Sequence, residues 1–339
     1  YNGVEMLRKF LPSVTQFSTF QVIVADNGST DCSVDLLLNN FPQIRLIRLE
    51  SNFGFTGGYN RALEMIRGDF GYYILLNSDV EVEKEWDVKL IRFLEENLKT
   101  AAVQPKILSY PNRGYFDYAG AGGGFMDELG YPYCRGRIFD TVEKDEHQYD
   151  DTIQVDWASG ACMAIRANLF HQVGGFDERF FAHMEEIDIC WKIRKMGYSI
   201  HYLGISKVKH VGGGTLDRSN PWKTFLNFRN NLLMLHQNLK TSRFAFVYLR
   251  RVLLDLLAAF VFVVRGNFRD SKAVLKAHFS FHKMKSGSLK SSQIENTRII
   301  GNMNSRSSIL WDYYISQMGD IKRLISMCLK HKATCIFNR

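Results

Sequence analysis

Apolar and polar positions alternate along the chain in blocks whose spacing identifies most of its elements. Residues 4–18 (VEMLRKFLPSVTQFS) repeat apolar side chains every three to four positions and predict a short amphipathic helix. The apolar run 21–25 (QVIVA) breaks into Asp26-Asn27-Gly28-Ser29-Thr30-Asp31, as a buried strand followed by a polar turn does. The same phrase recurs twice. A helix over 33–40 and a strand over 44–49 lead into the turn from Ser51 to Gly58, and a helix follows from Tyr59 to Ile66. The strand 72–76 (YYILL) then ends at Asn77-Ser78-Asp79, ahead of a helix over 84–97 and a strand over 102–108.

Strands alternating with helices predict an α/β fold with a mostly parallel sheet flanked by helices. Ligands of such sheets bind beyond the carboxyl ends of the strands, so the three polar turns are expected to converge on one crevice. Residues 110–155, rich in Gly, Tyr and Asp, predict long loops and short strands over that crevice, and 157–166 return to strand character. A helix over 185–196 is stopped by Gly197, and a strand over 199–203 leads to the glycine-rich turn from His210 to Gly214. From Pro221 the pattern is helical, basic and aromatic, and the Ser- and Asn-rich stretch 286–308 is expected to be the loosest part.

Charge sharpens this division. The 339 residues carry a formal +8, but residues 1–239 hold 25 basic and 30 acidic side chains, whereas residues 240–339 hold 18 and 5. A mildly acidic domain over 1–239 and a basic helical tail over 240–339 are therefore expected, the tail facing an anionic partner. Its basic residues accompany apolar runs such as LLAAFVFVV, which favours interfacial helices on anionic lipid over nucleic acid. Packing of 243–264 on the domain over 1–239 is the plainer alternative. No segment reaches the ~20 apolar residues of a membrane span. Six scattered cysteines form no C-x-x-C pair, so free thiols in a reducing cytosol are expected.

The candidate chemistry lies in the turns. Asp26, at the end of an apolar strand, suits contact with a base or ribose, whereas Asp31 suits a helix cap. Asp79 could hold Mg²⁺ or Mn²⁺ against a diphosphate, or cap a helix. His210 could complete that coordination, or be structural. Glu185, Glu186 and Asp188 complement a helix dipole; their crowding would also raise a pKa, which suits a general base. Trp157 could stack on a sugar or fill the core. The P-loop, dinucleotide, zinc-protease and nucleophile-elbow motifs are all missing.

In order, VIVADNGSTD, NFGFTGGYN, LNSDVEV, WASGA, GGFDERFFAHMEEIDICWKIRKMGY and KVKHVGGGT resemble a family-2 glycosyltransferase of the Rossmann-like GT-A fold. The likeness covers about residues 1–239 and is greatest to the rhamnosyltransferase-like bacterial branch that builds surface polysaccharides. It implies an inverting transfer from a nucleotide-diphosphate sugar, dTDP-rhamnose being one candidate, to an acceptor hydroxyl. The acceptor would be a lipid-linked saccharide, with peripheral contact at the inner face of the bacterial cytoplasmic membrane and no nucleic acid involved.

The resemblance also distributes roles. Tyr1, Asn2, Asp26, Asn27, Ser29, Asn52, Gly54, Phe55, Gly58, Asn60, Asn77 and Ser78 would bind the nucleotide sugar. Asp79 and His210 would hold Mg²⁺ or Mn²⁺. Trp157, Gly160 and Ala161 would meet the acceptor, and Glu186, with Glu185 and Asp188 beside it, would supply the base. Glu186 stands where the family usually has Asp, one methylene shorter. The family's first central strand, expected just before Tyr1, is not in this sequence, so the chain is expected to be a truncated one. Two rivals are a sugar-1-phosphate nucleotidyltransferase, whose Gly- and Arg-bearing loop is missing from YNGVEMLRKF, and a non-catalytic membrane-surface scaffold, which would lack Asp79 or Glu186.

Overall fold

The computed structural model describes residues 1–138, 141–212, 220–285 and 309. It contains the helices α1 (Val4–Phe17), α2 (Ser33–Asn40), α3 (Gly54–Glu64), α4 (Trp86–Glu96), α5 (Ala167–Gln172), α6 (Glu185–Lys195), α7 (Pro221–Asn238), α8 (Thr241–Val264) and α9 (Phe268–Met284). The strands are β1 (Ile23–Asp26), β2 (Arg45–Arg48), β3 (Tyr72–Leu76), β4 (Val80–Val82), β5 (Thr100–Ser109) and β6 (Gly124–Met126). They continue with β7 (Pro132–Cys134), β8 (Arg137–Ile138), β9 (Thr141–Val142), β10 (Thr152–Val155), β11 (Cys162–Arg166) and β12 (Ser199–His210). The α/β class and the helical C-terminal region stand as expected. The Ser- and Asn-rich stretch, and Gly213 and Gly214 of the glycine turn, lie outside the described residues.

Packing divides the chain into two compact units. The first comprises residues 1–125, 133–181 and 197–212; the second comprises 126–132, 182–196 and the chain from 213 onward.

In the first unit, β10-β12-β5-β11-β3 form the main sheet, with β4 paired to the far end of β12. This sheet is mixed rather than mostly parallel: β5 and β12 run parallel, while β11 is antiparallel to both β5 and β3, and β10 and β4 are antiparallel to β12. A parallel neighbour needs a crossover connection, and β11 is entered from the loop excursion 110–155 without a helix. The pair β1–β2 is parallel and forms its own small sheet. Leu7, Leu11 and Val14 of α1 and Trp86, Leu90 and Leu94 of α4 close over Val103, Ile107, Ala164 and Val208 of the sheet. The spacing i, i+4, i+7 in α1 and i, i+4, i+8 in α4 puts the apolar side chains on one face of each helix.

β5 is the central strand, and two of its residues shape the unit. Pro105 has no N–H to give to a ladder, and proline inside sheets is confined to edges and bulges. The register of β12 slips opposite it, between Leu203 and Lys207. The sequence pattern therefore ends a strand at 203, whereas β12 resumes beyond the bulge and delivers His210 to its end. Lys106 is fully buried, bonded at 2.8 Å to Asp145 and also to Asp150, both from the excursion.

The second unit is helical, with α6, α8 and α9 each packed on α7 and α8 also packed on α9. Its interior holds a polar knot. The guanidinium of Arg251 donates to Asp255, Asn231 and the carbonyl of Leu129, while Tyr131 and His278 also reach Asp255, at 3.2 and 3.0 Å. Every charge in the knot is paired, as burial requires. No described helix is long and apolar enough to cross a membrane.

Candidate active site

The polar turns meet at the carboxyl ends of the strands of the first unit. Asn27 joins the first two: its amide donates to the Gly54 carbonyl (2.8 Å) and Asn52 Oδ1 (3.2 Å), and its oxygen accepts from Phe53 N (3.1 Å). Gly28, at φ +74°, lies so close to Ser51 that a Cβ would come within 2.6 Å of backbone. At Gly58 a Cβ would come within 2.8 Å of the Asn27 amide. The glycines are therefore required by the contact between the two turns.

Asp26 is buried and accepts from Ser29 N (3.0 Å) through Oδ2. Asn2 locks onto the same loop, donating its backbone N–H to Ser29 Oγ (2.9 Å) and accepting from Thr30 N (2.8 Å). Asp31 accepts from Val4 N and Ser33 N, at the starts of α1 and α2, and so serves as a cap. Tyr1 and Ser78 are exposed.

The turn 51–58 was expected to precede its helix, but α3 begins inside it, at Gly54. Asn52 Oδ1 accepts from Gly54 N (2.9 Å), and the Phe181 carbonyl accepts from Phe55 N (2.9 Å) and Thr56 N (3.3 Å). These acceptors satisfy the N–H groups that a helix start leaves open. Asn60, further along α3, is bonded both ways to the backbone of Phe176 (2.8 and 2.9 Å). It thus fastens the 174–178 loop.

The third turn is tied in by Tyr59, whose hydroxyl donates to the Leu76 carbonyl (3.2 Å). Here Asp79 and His210 face each other, both nearly buried, with Asp79 Oδ1 at 3.3 Å from His210 Nε2. Asn77 Nδ2 lies 3.4 Å from the same ring nitrogen. His210 Nδ1 is 2.9 Å from Oδ1 of Asp117, a buried residue that the sequence reading did not single out. Burial alone would push this imidazole down, but Asp117 and Asp79 raise it to about 10, and a metal bound at Nε2 would displace the proton there. With Nδ1–H donating to Asp117, Nε2 is turned toward Asp79.

One carboxylate oxygen and one imidazole nitrogen at this separation fit a divalent ion of the Mg²⁺ or Mn²⁺ type, which keeps waters and phosphate oxygens for its remaining positions. Among the described residues no group of three or more His, Cys, Asp or Glu side chains is assembled for a metal. The donor set thus suits an ion completed by a diphosphate better than a closed structural site.

Trp157 is buried, with its indole N–H on the Phe125 carbonyl (2.9 Å) and its ring so close over Gly124 that a Cβ there would meet it at 2.3 Å. It occupies the core position that its residue type alone suggested. Gly160 and Ala161 are buried too, and Ala161 O accepts from Asn77 N (3.0 Å).

The acidic cluster belongs to the second unit. Met184 (φ +74°) and His183 (φ +71°) hold a left-handed backbone that most side chains avoid. Asn230 of α7 clamps this segment by donating to the carbonyls of Ala182 and His183, both at 2.8 Å. Glu185 is buried and Glu186 half-buried, each with one carboxylate oxygen that has no hydrogen-bond partner. Burial, reinforced by Glu186, raises Glu185 well above the usual carboxylate range. Burial likewise raises Glu186 to about 7, against backbone N–H groups that pull it down. Asp188 differs: it is paired with Lys192 (2.6 Å) and accepts from Asn238 (2.6 Å). Asn230 and Asn238 went unnoticed in the sequence, although polar residues inside the apolar stretch FLNFRNNLLMLHQN were a signal.

The chain is similar to known proteins. The family model described as "Glycosyl transferase family 2" matches residues 1–173. The N-acetylglucosaminyl-diphospho-decaprenol L-rhamnosyltransferase of Mycobacterium tuberculosis is 28% identical over 226 residues, covering 62% of this chain and 73% of that protein. Rhamnosyltransferase WbbL of Escherichia coli K12 is 26% identical over 156 residues, covering 44% and 58%. Among solved structures, GalNAc-T7 with UDP, GalNAc and Mn²⁺ superposes with a TM-score of 0.51 at 15% identity, over 68% of this chain and 45% of that one, a likeness of fold. The chain belongs to glycosyl transferase family 2 and is a glycosyltransferase of the rhamnosyltransferase-like kind.

Proposed function

We propose that the protein transfers a sugar from a nucleotide-diphosphate sugar to an acceptor hydroxyl, with inversion, in the synthesis of a cell-surface polysaccharide. The observation that carries this reading is the buried Asp79–His210 pair at the strand ends, in a chain of this family. The names of the two rhamnosyltransferases support dTDP-rhamnose as the donor. The decaprenol-linked substrate in the name of the mycobacterial relative supports a lipid-linked acceptor, met at the cytoplasmic face of the membrane.

Asp26 has one oxygen beyond its bond to Ser29 with which to accept from a base or ribose. The loop that Asn2, Asn27, Ser29 and Asn52 build, with Gly54, Phe55 and Gly58 at the start of α3, receives the nucleotide; Tyr1, Asn77 and Ser78 border it. Asp79 and His210 hold Mg²⁺ or Mn²⁺, which when bound neutralises charge on the departing diphosphate. Gly160 and Ala161, beside Asn77, shape the acceptor side, with Trp157 as their support. Glu186 takes the acceptor proton as the acceptor oxygen bonds to the anomeric carbon and the bond to the diphosphate oxygen breaks. A carboxyl near pH 7 is matched to that task. Glu185 is the neighbouring carboxyl beside Glu186, and Asp188 anchors α6 through Lys192 and Asn238.

The test is diphosphate release from a panel of nucleotide sugars, dTDP-rhamnose included, with Mg²⁺ or Mn²⁺ and an EDTA control. NMR of the product reads the anomeric configuration. A folded protein that releases nothing from any donor would sink the reading.

A further inference from the structure

We propose that α8 and α9 dock the protein on an anionic lipid bilayer, with α8 lying in the plane of the interface. This gives the membrane contact proposed above a definite face, and it depends on no catalytic assignment.

Along α8, Val247, Arg251, Asp255 and Ala259 recur every four residues and are buried. The opposite face carries Phe246, Leu249, Leu253, Leu257, Phe260 and Val264, which are between 46% and 69% exposed. A 24-residue helix is about 36 Å long at 1.5 Å per residue, so this stripe runs for most of that length. Contiguous apolar surface of this extent on a folded chain marks an interaction site. α9 adds Phe268, Leu275 and Phe279, all more than half exposed.

The charges select the occupant. Between residues 241 and 285 the only acids are Asp255 and Asp270. Both are buried, the first within the polar knot and the second accepting from Thr224 at 2.6 Å. The exposed charges, by contrast, include Arg243, Arg265, Arg269, Lys272 and Lys276. The surface of these two helices is therefore apolar and positive with no exposed acid. A second copy would bring like charges together, whereas an anionic headgroup layer over acyl chains matches both properties. α8 is long enough to span but Arg250, Arg251 and Asp255 interrupt its apolar sequence, which leaves the in-plane arrangement.

The experiment is flotation of the full chain with vesicles of phosphatidylcholine alone and of phosphatidylcholine mixed with phosphatidylglycerol. Binding to the anionic vesicles, weakened by salt, is expected. Leu253→Asp with Leu257→Asp should lower partitioning at least about a hundredfold. Lys272→Gln with Lys276→Gln should lower it by about twentyfold on anionic vesicles only. These side chains are exposed, so circular dichroism and melting should be unchanged, and transfer to a soluble acceptor without vesicles should match the wild type. Equal binding to both vesicle types, or a Leu253/Leu257 variant that floats like the wild type, would overturn the proposal. So would failure to float combined with self-association that this variant abolishes, which would make the stripe a contact between copies.

Discussion

Replacing Glu186 with Gln tests the base assignment and its environment together. Gln keeps the shape and removes the ionisable oxygen. Burial lifts Glu186 from the ordinary 4.5 to about 7, so roughly half the molecules carry the ionised base at pH 7 and roughly a tenth at pH 6. The wild-type kcat/KM should therefore fall about fivefold over that unit and approach tenfold per unit below it. Glu186→Gln should lose about 10²–10⁴ in kcat/KM, a barrier increase of roughly 3–5 kcal/mol, and the acid limb should vanish. Stability should move the other way. Because the folded pKa exceeds the unfolded one, the native state holds a proton that the unfolded chain releases between 4.5 and 7. Wild-type stability thus declines as pH rises through that window, by at most about 3 kcal/mol and less for a group still partly wet. Gln has no such cost, so the variant should melt near the wild type at pH 5 and above it at pH 8. Glu185→Gln is the control and should keep the acid limb near 7. Activity of Glu186→Gln within tenfold of the wild type, or a melting difference that does not grow with pH, would refute the reasoning.

Two further outcomes follow from the first unit. Asp117→Ala should weaken Mn²⁺ binding about 10–100-fold, read by Mn²⁺ paramagnetic resonance without turnover, because the ring of His210 loses the acceptor that orients it; unchanged affinity would remove Asp117 from this role. Gly28→Ala places a Cβ 2.6 Å from Ser51 backbone at positive φ. It should cost at least about 1–2 kcal/mol and abolish nucleotide binding, checked by thermal melting and by calorimetric titration with nucleotide diphosphates.

Residues close in sequence were legible, and residues whose partners are remote were not. α2 and β3 fall on the ranges that their periodicity predicts, because amphipathic spacing and flanking turns are local. The extension of β12 to His210 was not legible, since its bulge answers a proline on the neighbouring strand. α3 begins five residues ahead of its pattern because Phe181, more than a hundred residues away, satisfies its first N–H groups; helix propensity alone disfavours the glycines there. Asp79 and His210 could each be suspected from their place after apolar runs. Asp117 sits in an excursion without period, and only the folded chain brings it to His210. The crowded acids at the start of α6 were visible as a group, but the different fates of Glu186 and Asp188 depend on Lys192 and Asn238.

Lys106 has a consequence for how this architecture can change. An ammonium at the centre of the main sheet is tolerable only while Asp145 and Asp150 cover it, and both come from the long excursion after β5. The excursion is thus not an exchangeable cassette. A graft from a relative that omits those acids would strand a cation in the interior, whereas the same graft with Lys106→Met would not. Diversification of the rim of the crevice and the identity of one central-strand residue are therefore bound to change together.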